Sequence, residues 1–293
     1  MRRLETLKLL NDALEYIEIN LNSELNIDNI SKIAGSSKYH FQRIFHVLTG
    51  FTVSQYIKNR RLTLAAEELI VEDKRVIDIA LKYGYESPEA FTKAFKRMHG
   101  TAPSALKKYN GKIKAFPKIS FQILIKGGGE INYRIVESEA FKIFGAGFIT
   151  TAANDAAYEH IPKFINEIFE NGTHDRINQV LGKSKGTLLN GYHYGFKEDG
   201  TRKYIMGDEV VNDHIPDEFT QLSIPKLTWA VFEDNGVKPD NLIIQNIWKR
   251  IYSEWFPSSG FEQAEGPCIE KNFWNGEKQS GYRCEVWIPV RRK

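Results

Sequence analysis

The chain has 293 residues, 42% hydrophobic and 26% charged, with a formal net charge of +3. That balance excludes a disordered polyelectrolyte and leaves room for two globular domains. No apolar run approaches the roughly 20 residues of a membrane-spanning helix, and Cys268 and Cys284 are too few for a disulfide scaffold or an all-cysteine zinc site. The opening stretch MRRLETLKLLNDALEYIEIN has acidic residues every few positions and no small-residue cleavage site. It reads as an amphipathic helix, with neither signal peptide nor membrane partner, and a cytoplasmic location is expected.

The charge is uneven along the chain. Residues 1–112 carry 18 basic and 13 acidic side chains, a balance of +5, while residues 113–293 carry 22 and 24, a balance of −2. A basic first third points to a polyanion as its partner.

Beyond the first helix the sequence repeats itself. GSSKYHFQRIFHVLTGFTVSQY, Gly35–Tyr56, returns as GYESPEAFTKAFKRMHGTAP, Gly84–Pro103, with Ser37, Phe41, Phe45 and Gly50 matched by Ser87, Phe91, Phe95 and Gly100. Each copy predicts a short helix, a turn at Gly35 or Gly84, and a longer helix that ends at Gly50 or Gly100. Ser87-Pro88 makes a good start, because the serine oxygen accepts an orphan N–H and proline loses nothing at the first helical position. Two helices about a glycine turn, the second with a basic polar face, form the helix-turn-helix pattern. Between the copies, the capping box Thr52–Gln55 opens a helix that holds the two units at a fixed separation.

The region from Leu9 to Lys108 resembles the double helix-turn-helix domain of AraC/XylS-type transcription regulators, its second copy ending in FKRMHGTAPSAL like that family's signature. Ala105-Leu106-Lys107 departs from it, where an aromatic residue followed by Arg is the commoner pattern. The resemblance implies double-stranded DNA as a partner. It places Tyr39, Gln42, Arg43 and His46 on the groove side of the first recognition helix and Glu89, Thr92, Lys93 and Lys96 on that of the second. The residue types suit base edges: Arg and Lys donate to guanine, Gln to adenine, Glu accepts from cytosine and Thr meets a thymine methyl. Lys38, Lys58, Arg60, Arg61 and Arg97 suit phosphates.

After the stretch YNGKIKAFPK the pattern changes to alternation. Strands are expected over 119–125, 131–136, 142–150, 187–196, 204–211, 228–233 and 283–290, with helices over 153–170 and 240–255. Gly127–Gly129 reads as a hairpin turn. The resulting fold class is an all-α double helix-turn-helix domain, residues 1–112, then a linker and first hairpin strand, 113–130, then an α+β domain, 131–293, built from a strand-helix-strand-strand unit used twice.

That last part resembles the GyrI-like effector-binding domain through DEFTQLSIPKLTWAVFED, IWKRIYSEWFPSSGFEQAEGPCIEKNF and YRCEVWIPV. Joined to an AraC-type domain, it resembles the Rob-type arrangement. On the closing strand Val286, Ile288 and Val290 alternate with Glu285, Trp287 and Pro289, so Glu285 and Trp287 share the face away from the helices. A carboxylate beside an aromatic suits a lipophilic cation, and the resemblance implies that a strand glutamate anchors it. Tyr192, Tyr194 and Trp229 are further candidates and Glu209 a weaker one, while Glu285 could instead pair with Arg283 or Arg250.

His174, His193 and His214 show no metal-ligand spacing, and no glycine-rich phosphate loop links a strand to a helix, so neither metal nor cofactor is expected. The leading expectation is a regulator that activates transcription, a monomer reading DNA and meeting RNA polymerase, with a small-molecule effector. A hydrolase of reactive electrophiles, with the pocket glutamate as base, and a ligand-free protein-interaction module are the alternatives.

Overall fold

In a computed structural model of the chain, the described residues are 2–71, 74–109, 113–122, 130–151, 156–211, 214–236, 241–274 and 281–293. They fall into two units, Met1–Phe41 with Val53–Ile125, and Gln42–Thr52 with Lys126–Lys293.

Among the described residues up to 109 there are seven helices: α1 Arg2–Ile19, α2 Ile27–Ile33, α3 Lys38–Thr49, α4 Val53–Val71, α5 Val76–Lys82, α6 Pro88–His99 and α7 Pro103–Tyr109. The repeat is visible in the turns, since Gly35, Gly50, Gly84 and Gly100 all take positive φ of 60–80°, a region costly for other residues. Helix α6 is capped as its sequence demands, with Ser87 Oγ accepting from Ala90 N at 3.1 Å. Ser37 Oγ accepts from His40 N at 3.3 Å. Phe91, Phe95, Leu62, Leu69, Ile79 and Leu106 close one buried core.

The segment after α7 departs from expectation. Residues 113–122 form no strand; they lie along α1 and α4, held by backbone groups. Phe121 exchanges bonds of 3.0 Å with the Asn11 amide, Phe116 N donates to Thr63 Oγ1, and Arg60 donates to Phe116 O. Buried His99 takes part too, with Nε2 3.1 Å from Leu62 O and Nδ1 accepting from Lys114 N. A polar α4 flank satisfying the main chain explains why this stretch needs no sheet partner. The expected hairpin turn Gly127–Gly129, with the end of the expected strand, lies outside the described residues.

The described residues of the second part form a nine-stranded antiparallel sheet: β1 Tyr133–Ser138, β2 Phe141–Thr151, β3 Asn190–Tyr194, β4 Thr201–Glu209, β5 Thr220–Ile224, β6 Leu227–Gly236, β7 Phe261–Gln263, β8 Cys268–Trp274 and β9 Tyr282–Arg292. Its order is β1-β6-β9-β8-β3-β4-β2-β5, with β7 beside β9. The order is symmetric about the β8–β3 pair, so the expected internal repeat is present, with an exchange at the edges: β1 completes the second half and β5 the first. Helices α8 Ala156–Glu170 and α9 Thr173–Val180 belong to the first half. Helix α10, Asn241–Arg250, belongs to the second and continues through a π-helical turn, Ile251–Trp255. Sequence periodicity misses α9, β5, β7 and β8, which are short or carry polar residues where an aliphatic stripe is sought.

Candidate functional site

The two recognition helices present their predicted contacts differently. On α6, Glu89, Lys93, Lys96 and Arg97 are exposed and Thr92 is half-buried. On α3, Lys38, Tyr39, Gln42 and His46 are half-buried, and Lys38 lies 3.5 Å from Asp28. Arg43 is buried. Burial and the charges of Arg43 and Arg202 pull His46 down to about 4, so its imidazole is neutral near pH 7.

Two residues expected on phosphates have partners within the chain. Arg61 donates to the carbonyls of Leu21 and Ser23 at 2.7 and 2.6 Å. It also packs beneath Gly84, where an added Cβ would meet Nη1 at 3.1 Å. Arg60 chelates Glu18, which also accepts from Tyr56. Lys58 is exposed.

Within the sheet, Glu285 and Trp287 do share a face, and the indole N–H of Trp287 donates to Glu285 Oε2 at 2.8 Å. The carboxylate is committed further: Arg134 and Arg283 both reach Oε1, at 2.7 and 3.0 Å. Lys271 stands 4.5 Å from the Trp287 ring and 3.2 Å from Glu209. Tyr192 and Trp229 are fully buried and pack with Ile143, Ile205, Ile224, Val231 and Ile269; Tyr194 packs at the margin of the same cluster. This cluster draws on both halves of the sheet. The edge strands contribute to it as well, β5 through Ile224 and β1 through Val136, so this face is packed with the chain's own side chains.

The opposite, helix-bearing face holds a cluster that the sequence reading passed over. Where β3 meets β8, Gly191 pairs with Glu270 and His193 with Cys268. The Glu270 side chain, 15% exposed, lies 3.2 Å from His193 Nε2 and accepts from the Trp248 indole at 2.7 Å. A Cβ at Gly191 would meet the Tyr204 hydroxyl at 2.7 Å and Glu270 Oε2 at 3.2 Å, so glycine leaves both polar ends uncovered. Tyr204 packs edge-on to His193, and Trp248 stacks near Tyr252 on successive turns of the same helix.

The protonation states follow from the surroundings. Burial alone would raise Glu270, but the imidazole beside it and the Trp248 donor outweigh this and hold the carboxyl below its usual range. Burial depresses His193 and pushes the Cys268 thiol up to about 11 and Tyr252 up to about 12. At neutral pH the cluster is thus a carboxylate beside neutral imidazole, phenol, thiol and indole groups, with the charges of Arg43 and Arg202 acting on it. Chemically it can accept a cation or a donor. The sequence signal existed in the Trp248/Tyr252/Phe256 spacing and in the Cys268/Glu270 alternation, but β8 was not recognised as a strand.

Among the described residues no group of three or more His, Cys, Asp or Glu could hold a metal ion, and no helix is long and apolar enough to cross a membrane.

Comparison with known proteins agrees with this architecture. A helix-turn-helix domain family matches residues 30–109, and the integron-associated effector binding protein family matches residues 134–290, more than half of the chain. The right origin-binding protein of Escherichia coli K12 is 36% identical over 97% of this chain and 98% of its own length. The chain belongs to the Rob-type AraC regulators. The transcriptional regulator Rob of Salmonella typhimurium is 27% identical over 97% of this chain and 98% of its own. In the first part, the transcriptional activator AarP of Providencia stuartii is 37% identical over 38% of this chain and 86% of its own. The chain is accordingly a DNA-binding transcription regulator, an AraC-type double helix-turn-helix joined to an effector-binding domain of GyrI-like class.

Proposed function

We propose that this regulator activates transcription as a cytoplasmic monomer, without catalysis, contacting RNA polymerase when a lipophilic organic cation occupies the helix-side site at Glu270. The observation that carries the effector assignment is a carboxylate beside Trp248, His193 and Tyr204 over a glycine floor. Charge pairing with Glu270 and cation–π attraction to the rings suit that ligand class. Glu285, with two arginines and an indole on its oxygens, is the poorer anchor. In the first part, Gln42, Arg43, Glu89, Thr92, Lys93 and Lys96 read bases, with Lys38, Tyr39, His46 and Arg97 beside them. Its working fragment is residues 1–122, because 113–122 are bonded to α1 and α4.

Titration of thioflavin T, a flat cationic dye, into the wild type, Glu270→Gln and Glu285→Gln tests the assignment. A loss of about tenfold or more is expected only at Glu270, since a cation whose partner is neutralised is left in a poorly solvated site. Equal affinities for wild type and Glu270→Gln reject it.

A hydrolase reading has one observation in its favour, the Tyr204 hydroxyl and Glu270 oxygen flanking Gly191. A carboxyl held below its usual range is a weak general base, which favours binding over catalysis. Glu270-dependent turnover of styrene oxide would reverse that preference.

A further inference from the structure

The rings beside the proposed effector site already hold a cation of the chain's own. In the unit formed by residues 42–52 and 126–293, the Arg43 guanidinium carbon stands 4.1 Å from the Phe196 ring centroid and 6.0 Å from those of Trp248 and Tyr252. Arg43 is only 7% exposed. Several aromatic rings around one planar cation make a favourable and partly desolvated cation–π environment. Trp248 meanwhile turns its indole N–H to Glu270. Trp248 therefore links the rings around Arg43 to the Glu270 carboxylate.

Arg43 is also the α3 residue whose planar fork best matches a guanine edge. A guanidinium enclosed by rings cannot simultaneously reach a base. Readout through Arg43 and occupancy of the notch by Arg43 exclude each other, so a ligand that takes the notch shifts the population toward the reading state.

We infer that Arg43 is an internal competitor for the effector notch, and that a planar aryl cation of the amidinium or guanidinium class binds by displacing it and releasing α3 for DNA. The inference rests on the effector site proposed at Glu270 and adds the ligand's class and the coupling. Planarity sets the class: a slot that takes a guanidinium between rings takes an amidinium equally well, while a compact, strongly hydrated ammonium gains less there. The second copy lacks the device, since the counterpart of Arg43 is exposed Lys93.

Calorimetry of the full chain with benzamidinium, using neutral benzamide as control, tests this. Benzamidinium should bind the wild type and benzamide should not. Arg43→Ala should bind benzamidinium about tenfold tighter, because the competing cation is gone. Phe196→Ala, which removes the nearest ring, should bind a duplex selected by the wild type several-fold tighter without ligand and lose its response to benzamidinium. Equal benzamidinium affinity in wild type and Arg43→Ala, with binding still weakened by Glu270→Gln, overturns the competition and leaves the effector site standing. Binding indifferent to Glu270→Gln overturns the effector site itself, and no binding to any variant overturns the ligand class.

Discussion

Helices α3 and α6 repeat one sequence unit, yet their polar faces lie in different surroundings. The inward positions match: Phe41, Phe45, Phe91 and Phe95 are all at most 1% exposed. Outward, α6 shows Lys93 and Lys96 to solvent, whereas their counterparts on α3 are a buried Arg43 over an aromatic ring and a His46 held neutral. Core positions are constrained by the packing each copy must reproduce, because every lost contact there is costly. The polar face carries no such constraint, so one copy can be given a second task.

The largest test addresses the shared part. Phe45→Ala and Phe95→Ala should each lower stability by about 3–5 kcal/mol in denaturant unfolding, since each empties a fully buried site. A cost under about 1 kcal/mol at either position would break the equivalence of the cores.

Next comes the difference itself. Lys93→Ala should cost on the order of 1–3 kcal/mol in DNA affinity under all conditions and relax base preference at one position. Arg43→Ala should do so only with benzamidinium present, because without it the guanidinium is engaged by Phe196. Binding isotherms on one selected duplex, with and without ligand, distinguish the two.

His46 gives a pH test. Its folded value of about 4 lies below the ordinary imidazole value of 6.5, so the unfolded chain takes up the proton first as pH falls. Stability is retained above pH 6.5, declines between 6.5 and 4, and changes no further from this group below that. Between pH 7 and 5.5 the loss should be about 1 kcal/mol. Thermal melts of His46→Gln should lack that part of the decline, while Lys96→Gln, its counterpart on α6, should leave it intact.

The smallest effect concerns the caps. Ser87→Ala should cost roughly 0.5–1 kcal/mol of stability, and Ser37→Ala less, its bond to His40 N being longer at 3.3 Å against 3.1 Å. A larger cost at Ser37 would mean that α3 is the more tightly specified of the two.

What was legible follows from distance along the chain. The helix-turn-helix copies could be read because their glycines, caps and aromatic pairs act within one or two turns. Glu285 and Trp287 were correctly placed on one face, because alternation along a strand is local. Their partners were not legible, since Arg134 reaches Glu285 from a strand about 150 residues earlier. Likewise the short Cys268/Glu270 alternation is the only local sign that CIEKNFW is a central strand. Its polar residues are tolerated because Trp248 and His193 meet Glu270, and Asn190 and Tyr282 meet Asn272. The partners of Arg61 were hidden for the same reason: its sequence neighbours do not announce the carbonyls of Leu21 and Ser23, about 40 residues earlier.

The exchanged edge strands have a consequence during translation. Tyr133 pairs with Phe232, 99 residues further on, so at about 5–20 residues per second the ribosome takes roughly 5–20 s to deliver the partner of β1. Throughout that interval the nascent chain carries a strand with no ladder of its own. The helical first part has by then emerged, so newly made molecules can gain DNA-reading helices before their sensor is complete. Slowing elongation between residues 139 and 227 should lengthen that window and enlarge the protease-sensitive fraction.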